Sequence, residues 1–322
     1  MFGYIVKRLL SAIPVVFGIA TIVFLLTSVI PGDPVALRFG PRIDKEAIDR
    51  IKKEEGLDKP LYIQYLRFLK KLAVLDFGRS YIKHERVWDL LIKRKVFVTF
   101  QLALASVILS SIVGMTLGVI ASFKQNSWLD GMVMTLSLLG ISTPVFWLGM
   151  ILSFVFASKL GWLPVPGTDM EMYRLFGKEY LLVPPLQFLI LPALSLSALM
   201  VGYIARMTRS SMLEVMRLDY IRTAYAKGLS RTRAILTHGL RNAMIPVITI
   251  IGLNFASLLG GAIATETIFA WPGVGTAMFD AINQRDIPVI EAGVIALSLA
   301  FVIVNIIVDI SYALLDPRIR LK

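Results

Sequence analysis

Residues 9–30 read LLSAIPVVFGIATIVFLLTSVI, and this stretch decides the fold class of the chain. It holds 22 residues without a charge and follows Lys7 and Arg8. A helix needs about 20 apolar residues to cross the hydrocarbon core of a bilayer, which is about 30 Å thick. The alternative, a cleaved signal peptide, has a shorter apolar region that ends in small residues. This run leads instead into Pro31-Gly32-Asp33-Pro34. We therefore predict an uncleaved first membrane helix.

The composition of the chain agrees with a membrane protein. Hydrophobic residues make up 56% of the sequence and charged residues 17%, whereas a soluble domain carries roughly 25% charged residues. Six apolar runs predict an all-α polytopic protein with about six membrane spans. The spans are predicted at residues 9–30, 96–122, 132–157, 186–207, 243–269 and 289–315.

Prolines and small residues inside these runs predict packing into a bundle. Pro144, Pro192 and Pro246 lie within spans, where neighbouring helices can satisfy the freed backbone groups. Two small-xxx-small pairs predict close helix contacts. The pairs are Gly114 with Gly118 and Ala256 with Gly260.

Composition and motifs also exclude several kinds of site. The chain has no cysteine, which excludes disulfides, cysteine nucleophiles and thiolate metal sites. Its two histidines, His84 and His238, do not form a metal-binding HExxH motif, and no GxxxxGK[ST] loop occurs. We therefore predict no catalytic residue, no metal site and no bound cofactor. The net charge of +12 indicates basic loops beside anionic lipid rather than nucleic-acid binding.

The distribution of lysine and arginine predicts the orientation. With both termini in the cytoplasm, the inner segments carry 14 basic residues and the short outer loops carry four. Residues 31–95 carry another 16 outside, but loops of about 60 residues or more largely escape the positive-inside rule. This region is predicted to be a helical extracytoplasmic insertion. One helix would begin at Asp44 and end at Gly56, a second would begin at Pro60, and a third short piece would cover residues 87–92.

The segment 208–242 is the most informative part of the chain. Gly228 can end a helix in the left-handed conformation and Ser230 can cap the next one, which predicts two short helices at a sharp angle. Small residues, Thr223, Ala224 and Ala226, would let another protein approach closely. The alternative is an ordinary basic loop that only sets the topology.

This segment resembles the cytoplasmic loop of permease subunits from binding-protein-dependent ABC importers, whose general form is EAA-x3-G-x9-I-x-L-P. Arg222-Thr223-Ala224 stands for the EAA, Gly228 for the glycine and His238-x-Leu240 for the I-x-L. Arg222, Thr223 and Arg241 depart from that form in the manner of the dipeptide/oligopeptide/nickel branch. Further stretches are similar to the same branch. They begin at Tyr4, Pro31, Leu75, Gly161, Glu266 and Asp316.

The resemblance implies a type I ABC importer permease fold in a prokaryotic cytoplasmic (inner) membrane. It implies the B-type partner of a permease pair, with a C-type permease, two ATPase subunits and an external solute-binding protein that delivers peptide. ATP and Mg would be bound by the ATPases. Nickel chelates or oligosaccharides are the alternative cargo. The resemblance also implies a coupling helix that docks on an ATPase, formed by Tyr220, Arg222, Thr223, Ala224, Lys227, Gly228 and Leu229.

Polar residues at membrane depth are candidates for a pore or gate. Asn254, Glu266 and Asn305 are the chosen candidates, and Asp309 is a fourth polar residue in the last span. The alternative for each is a hydrogen bond between helices. The tryptophans Trp147, Trp162 and Trp271 are predicted to lie in the interfacial aromatic belt.

Two other function classes are alternatives to an ABC importer permease. A secondary transporter would work without an ATPase and would show internal inverted repeats, which we do not find in the sequence. An intramembrane enzyme would need a catalytic constellation, which the residue pattern does not offer. Dependence of uptake on ATP discriminates the importer from a secondary transporter, and turnover in the absence of ATPases would indicate an enzyme.

Overall fold

The computed structural model describes residues 2–29, 50, 53, 58–166 and 185–315. The predicted helix from Asp44 to Gly56 therefore lies outside the described residues, apart from positions 50 and 53. The motifs at Pro31 and Asp316 lie outside them as well.

The described residues form a helical bundle. Twelve helical segments are labelled in chain order. They are α1 (Phe2–Val29), α2 (Leu61–Ala73), α3 (Lys95–Phe123), α4 (Trp128–Ser142), α5 (Val145–Leu152), α6 (Leu186–Val215), α7 (Asp219–Ala226), α8 (Arg231–Ala234), α9 (Leu240–Gly261), α10 (Ile263–Ile268), α11 (Val274–Gln284) and α12 (Ile287–Leu315). Three π-helical segments extend them, at Trp88–Ile92, Ser153–Lys159 and Ile235–Gly239.

Among the described residues, five helices are long and apolar enough to cross a membrane, and the bent pair Trp128–Ser142 and Val145–Lys159 brings the number up to six. The predicted all-α fold with about six spans is confirmed. The third span is not the single kinked helix that we expected, because its two halves meet at 102°. Pro144 has no N–H to continue the helix, and it forces Thr143 into an extended conformation with ψ 126°.

Helix α6 is the centre of the bundle and packs against α3, α4 and α9. The predicted contact at Gly114 and Gly118 is confirmed. A Cβ on Gly118 would lie 2.6 Å from the carbonyl oxygen of Ala205, and one on Gly114 would lie 2.8 Å from Cβ of Ile204. In the second small-residue pair, Ala256 is buried, but Gly260 faces open space and makes no close helix contact.

Helix α1 lies at the periphery and is joined to α12 at two levels. Thr27 donates a hydrogen bond of 2.8 Å to Glu291, and Arg8 forms an ion pair of 2.9 Å with Asp309. Thr27 lies about 28 Å from Arg8 along the helix, at 1.5 Å per residue. That separation matches the thickness of a bilayer core, so the two contacts mark the two faces of the membrane. Asp309 is therefore paired rather than free in a pore.

We call one end of the bundle the insertion end, formed by residues 58–94 and 263–286, and the other the loop end, formed by residues 124–127 and 216–230. At the insertion end α2 begins after Pro60, as predicted. Its Tyr65 ring packs 5.2 Å from Phe24 of α1. Asp286 then accepts hydrogen bonds from the Ser80 hydroxyl and the Tyr81 N–H. The described part of the insertion is thereby fastened to the bundle.

The contact at Gly118 makes the first prediction. Gly118→Ala would push a methyl group into the Ala205 carbonyl and the Thr208 side chain, so it should destabilise the protein by about 1–3 kcal/mol through overpacking. The matched control is Gly131→Ala in α4, where a Cβ meets nothing within 4 Å. Thermal unfolding of the two purified variants measures the difference. Equal melting temperatures would show that α3 and α6 can separate at no cost.

Candidate functional site

Helix α7 ends as the sequence predicts. Gly228 has φ +87°, a left-handed conformation that glycine adopts without penalty. The N–H of Leu229 donates to the Ala224 carbonyl at 3.2 Å, and the N–H of Gly228 donates to the Tyr225 carbonyl at 2.9 Å. These two bonds satisfy carbonyls that the helix end leaves free. The result is a short helix with a defined end rather than an irregular loop.

One face of α7 is buried within the chain. Ile221 is fully buried and packs with Met212 and Ile235. Ala224 is only 8% exposed. The expectation that Ala224 lets another protein approach is wrong for this residue, because its side chain already faces the bundle. Burial of this apolar face holds α7 on the loop end.

The opposite face of α7 is open to solvent. Exposed side chains on or just after the helix are Tyr220, Arg222, Thr223, Ala226 and Lys227. Leu229 is half buried. Tyr220 accepts a 2.8 Å hydrogen bond from the amide of Asn242, at the start of α9. Of the predicted coupling residues, all except Ala224 and Leu229 therefore lie on one accessible surface or at the exposed turn.

The helix after Ser230 differs from the prediction. Ser230 has extended dihedral angles at the N-cap position, but its hydroxyl makes no capping hydrogen bond. The helix from Arg231 is not the short helix that we predicted. It continues through the π-helical turn Ile235–Gly239 into α9, giving one span over Arg231–Gly260. Only the short turn Lys227–Ser230 therefore separates α7 from a helix long enough to cross a membrane.

Glu266 is completely buried and lies on α10, beyond the break that ends α9. Its carboxylate accepts a 2.6 Å hydrogen bond from the Thr99 hydroxyl and a 3.1 Å bond from the Thr276 N–H. Thr99 also accepts from the N–H of Val274 at 2.8 Å. These contacts close the turn between α10 and α11 onto α3. The geometry places Glu266 in this internal network and not on an open surface.

Trp271 lies in the same turn. Its side chain is 1% exposed, and its indole N–H donates to the Val98 carbonyl at 3.1 Å. The prediction of an interfacial position is wrong for Trp271, since a buried partner satisfies its polar atom. Trp147 and Trp162 are 50% and 70% exposed, as interfacial residues would be.

The two candidate asparagines are half buried. Asn254 lies in α9, and its amide nitrogen is buried without a hydrogen-bond partner among the described residues. Asn305 lies in α12, a helix that packs against α9. A buried amide without a partner is costly, so Asn254 lacks the internal contacts that account for the burial of Glu266.

An ion pair at the loop end was not predicted from the sequence. Asp130, at the start of α4, accepts two hydrogen bonds from the Arg209 guanidinium of α6, at 2.5 and 2.6 Å. The Asp130 carboxylate also accepts from the N–H of Asn126 at 3.0 Å. Asp130 and Arg209 are 79 positions apart. Ser127 caps α4 by accepting from the Asp130 N–H, but this local signal does not reveal the partner.

Comparison with protein families decides the identity of the bundle. Residues 114–321 match the family model described as "Binding-protein-dependent transport system inner membrane component". Residues 1–103 match the model of the N-terminal part of the same membrane component. The chain belongs to this family. It is thus a permease subunit of the ABC importer class, and the resemblance inferred from the loop is confirmed.

Relatives of this permease cover its whole length. It is 42% identical to the glutathione transport system permease protein GsiC of Escherichia coli (strain K12), over 100% of both chains. It is 40% identical to the dipeptide transport system permease protein DppB of Alkalihalophilus pseudofirmus, over 99% of this chain and 100% of the relative.

A solved structure shares the fold. A chain of the MetNI methionine ABC transporter in inward facing conformations matches the permease with a TM-score of 0.55 at 15% identity. The match covers 70% of this chain and 96% of that chain. At this identity the likeness supports the fold alone.

The ion pair at the loop end generates the second prediction. Asp130→Ala should destabilise the permease by about 3–5 kcal/mol at most, because it leaves the partly buried Arg209 without its carboxylate. Asp130→Leu combined with Arg209→Met should recover part of that loss. Thermal unfolding of the solubilised protein measures both.

The control for that experiment is the exposed pair of Arg222 and Asp219, 3.5 Å apart. Removing Asp219 should change stability by no more than about 0.5 kcal/mol, since exposed ion pairs contribute little. If Asp130→Ala had as small an effect as Asp219→Ala, the pair would have no role in holding α4 to α6.

Proposed function

We propose that this chain is the B-type permease subunit of an ATP-driven importer that carries di- and oligopeptides across the prokaryotic cytoplasmic membrane. The observation that carries the proposal is helix α7. Its apolar face is buried on the bundle, its other face is free, and it leads at once into a membrane span. The relatives named for glutathione and dipeptide transport support a peptide as the cargo.

The orientation follows from the same loop. Residues 206–242 carry eight lysines and arginines, which favours the cytoplasmic side. The loop end then faces the cytoplasm with both termini, and the insertion end faces outward. The insertion of residues 31–95 would accordingly lie outside, next to an arriving solute-binding protein. Because the sequence has no phosphate-binding loop, the ATPase subunits supply the ATP and Mg sites.

Coupling requires that the partner's movement reach the pore. An ATPase that grips the exposed face of α7 would carry α7 with it when ATP closes the ATPase pair. The continuous helix Arg231–Gly260 would then move with α7, and the buried contacts of Ile221 would keep the two together. Nucleotide can drive this change only if it binds unequally to the two states of the complex.

Reconstitution tests the proposed function directly. The complex of both permeases, the ATPases and the binding protein is placed in liposomes, and uptake of a labelled dipeptide is compared with uptake of a nickel chelate and an oligosaccharide. We expect dipeptide uptake that requires ATP. If only the chelate or only the sugar were taken up, that compound and not a peptide would be the cargo. Uptake without ATP would support a secondary transporter instead.

The third prediction concerns the exposed face of α7. Thr223→Arg should prevent the ATPases from co-purifying, because a bulky cation replaces a small side chain at the proposed contact. Thr232→Arg, also exposed but outside α7, is the control and should leave co-purification unchanged. Ala224→Arg should instead lower the stability of the permease itself, since Ala224 is buried. Normal co-purification with Thr223→Arg would remove this face from the docking surface.

The fourth prediction concerns the end of α7. Gly228→Val should uncouple ATP hydrolysis from peptide uptake, since a left-handed residue with a side chain costs about 1–2 kcal/mol and valine is a poor fit there. A Cβ at Gly228 meets nothing within 4 Å, so the effect isolates the backbone. Gly228→Asn should keep more activity, because asparagine tolerates this conformation. Uptake at the unmodified level in the valine variant would contradict a coupling role for the turn.

A further inference from the structure

The break between α4 and α5 leaves backbone polar groups without partners. Thr143 donates its N–H and its hydroxyl to the Leu139 carbonyl, at 2.9 and 2.7 Å. The next backbone bond runs from Leu148 to Pro144, at 3.0 Å. Within the described part of the chain, the carbonyls of residues 140–142 therefore accept no hydrogen bond.

The break lies at membrane depth by two measures. From Trp128, next to the Asp130–Arg209 ion pair, helix α4 rises about 21 Å to Ser142. Beside it, Gly140 packs so closely on α6 that a Cβ would lie 2.8 Å from the Ala198 carbonyl oxygen. Ala198 lies about 17 Å along α6 from Arg209, which places this level inside a core of about 30 Å.

The residues at the break are also accessible from outside the chain. Ser142 and Pro144 are exposed and Thr143 is half buried. In hydrocarbon, an unbonded backbone group costs several kcal/mol, so irregular backbone at membrane depth is found only against protein or along a water-filled cavity. Helix α1 shows the contrasting surface. Its exposed Ile22 and Leu26 stand on an unbroken helix, which suits lipid.

Resting on the proposed import of peptides, we propose that Ser142, Thr143 and Pro144 line the water-filled path between the two permeases. The free carbonyls of residues 140–142 accept hydrogen bonds there from the ammonium and amide N–H groups of a passing peptide. Such donors are shared by all peptides and do not depend on their side chains. The contact therefore suits a transporter whose finer selection is made by a separate binding protein.

The lack of cysteine in this chain makes the proposal easy to test. Single-cysteine variants of the assembled complex in nanodiscs, with the partner subunits also made cysteine-free, are treated with a charged, water-soluble methanethiosulfonate. The cysteine thiolate, which forms readily only in contact with water, attacks the reagent and forms a mixed disulfide as methanesulfinate leaves. Ser142→Cys is the test, and Thr143→Cys is a second position if the first does not assemble. Gln125→Cys, in the exposed turn before α4 and outside the proposed docking surface, is the water-exposed reference.

Ile22→Cys is the matched lipid-facing control, because Ile22 lies about 21 Å along α1 from Arg8, the same depth as the break. We expect Ser142→Cys to react within about tenfold of the rate of Gln125→Cys, and Ile22→Cys to react far more slowly. Saturating dipeptide should slow the reaction at residue 142 and leave that at residue 125 unchanged.

Two outcomes overturn the proposal. If cysteine at 142 or 143 is as unreactive as at 22, with and without a bound ATP analogue, the break does not meet water. If both react but dipeptide gives no protection, the carbonyls do not contact the peptide. Failure of the proposed function is a separate result, since it is measured by ATP-driven uptake in the unmodified complex and not by labelling.

Discussion

A peptide group inside a bilayer has no water to bond, and most of this structure follows from that constraint. Each long helix satisfies its own backbone, which is why six apolar runs become helices rather than any other structure. Where the backbone departs from a regular helix, its polar groups need cover, which means other protein or water that can bond them. At the turn after α10, cover comes from Trp271 and from the Glu266–Thr99 contact, which close the turn onto α3. At Thr143–Pro144 no part of the described chain supplies it, and in our proposal water and the passing peptide bond to the free carbonyls.

Helices that already satisfy their backbones still need a reason to associate. Lipid is as apolar as the side chains, so the bundle depends on close packing and a few polar contacts. Gly114 and Gly118 bring α3 onto α6, and Gly202 of α6 brings α4 to the same helix. Two polar pairs then join α1 to α12 near both faces of the membrane, with Arg8–Asp309 on one side and Thr27–Glu291 on the other. Asp130–Arg209 adds a bond at the loop end.

This packing determines how a force on the exposed face of α7 would reach the membrane helices. Ile221 and Ala224 hold α7 on the bundle, so the helix cannot swing freely. The continuous helix from Arg231 carries any displacement of α7 into the membrane. In the proposed coupling, an ATPase that pulls on Thr223 and its neighbours would act on a helix seated in the bundle and not on a flexible tether. That arrangement is what a permease needs if its energy comes from a separate subunit.

The amino-acid sequence alone predicts the membrane class, the six apolar runs, the start of α2 at Pro60 and the left-handed turn at Gly228. These features can be predicted from local composition and spacing, because the length and the capping of a helix depend on residues that are close together in the sequence. The family resemblance added the permease function through the pattern around residues 222–240.

Which helix faces are buried depends instead on packing between distant parts of the chain. Proline at 144 predicts a disturbance, but packing against α6 and α10 sets the 102° bend. The burial of Ala224, Glu266 and Trp271 depends on partners far away in the chain, such as Val98 and Thr99. The same holds for Asp130 and Arg209. Contacts between distant residues leave no periodic signal in a single sequence, so these roles became visible only when the helices were placed side by side.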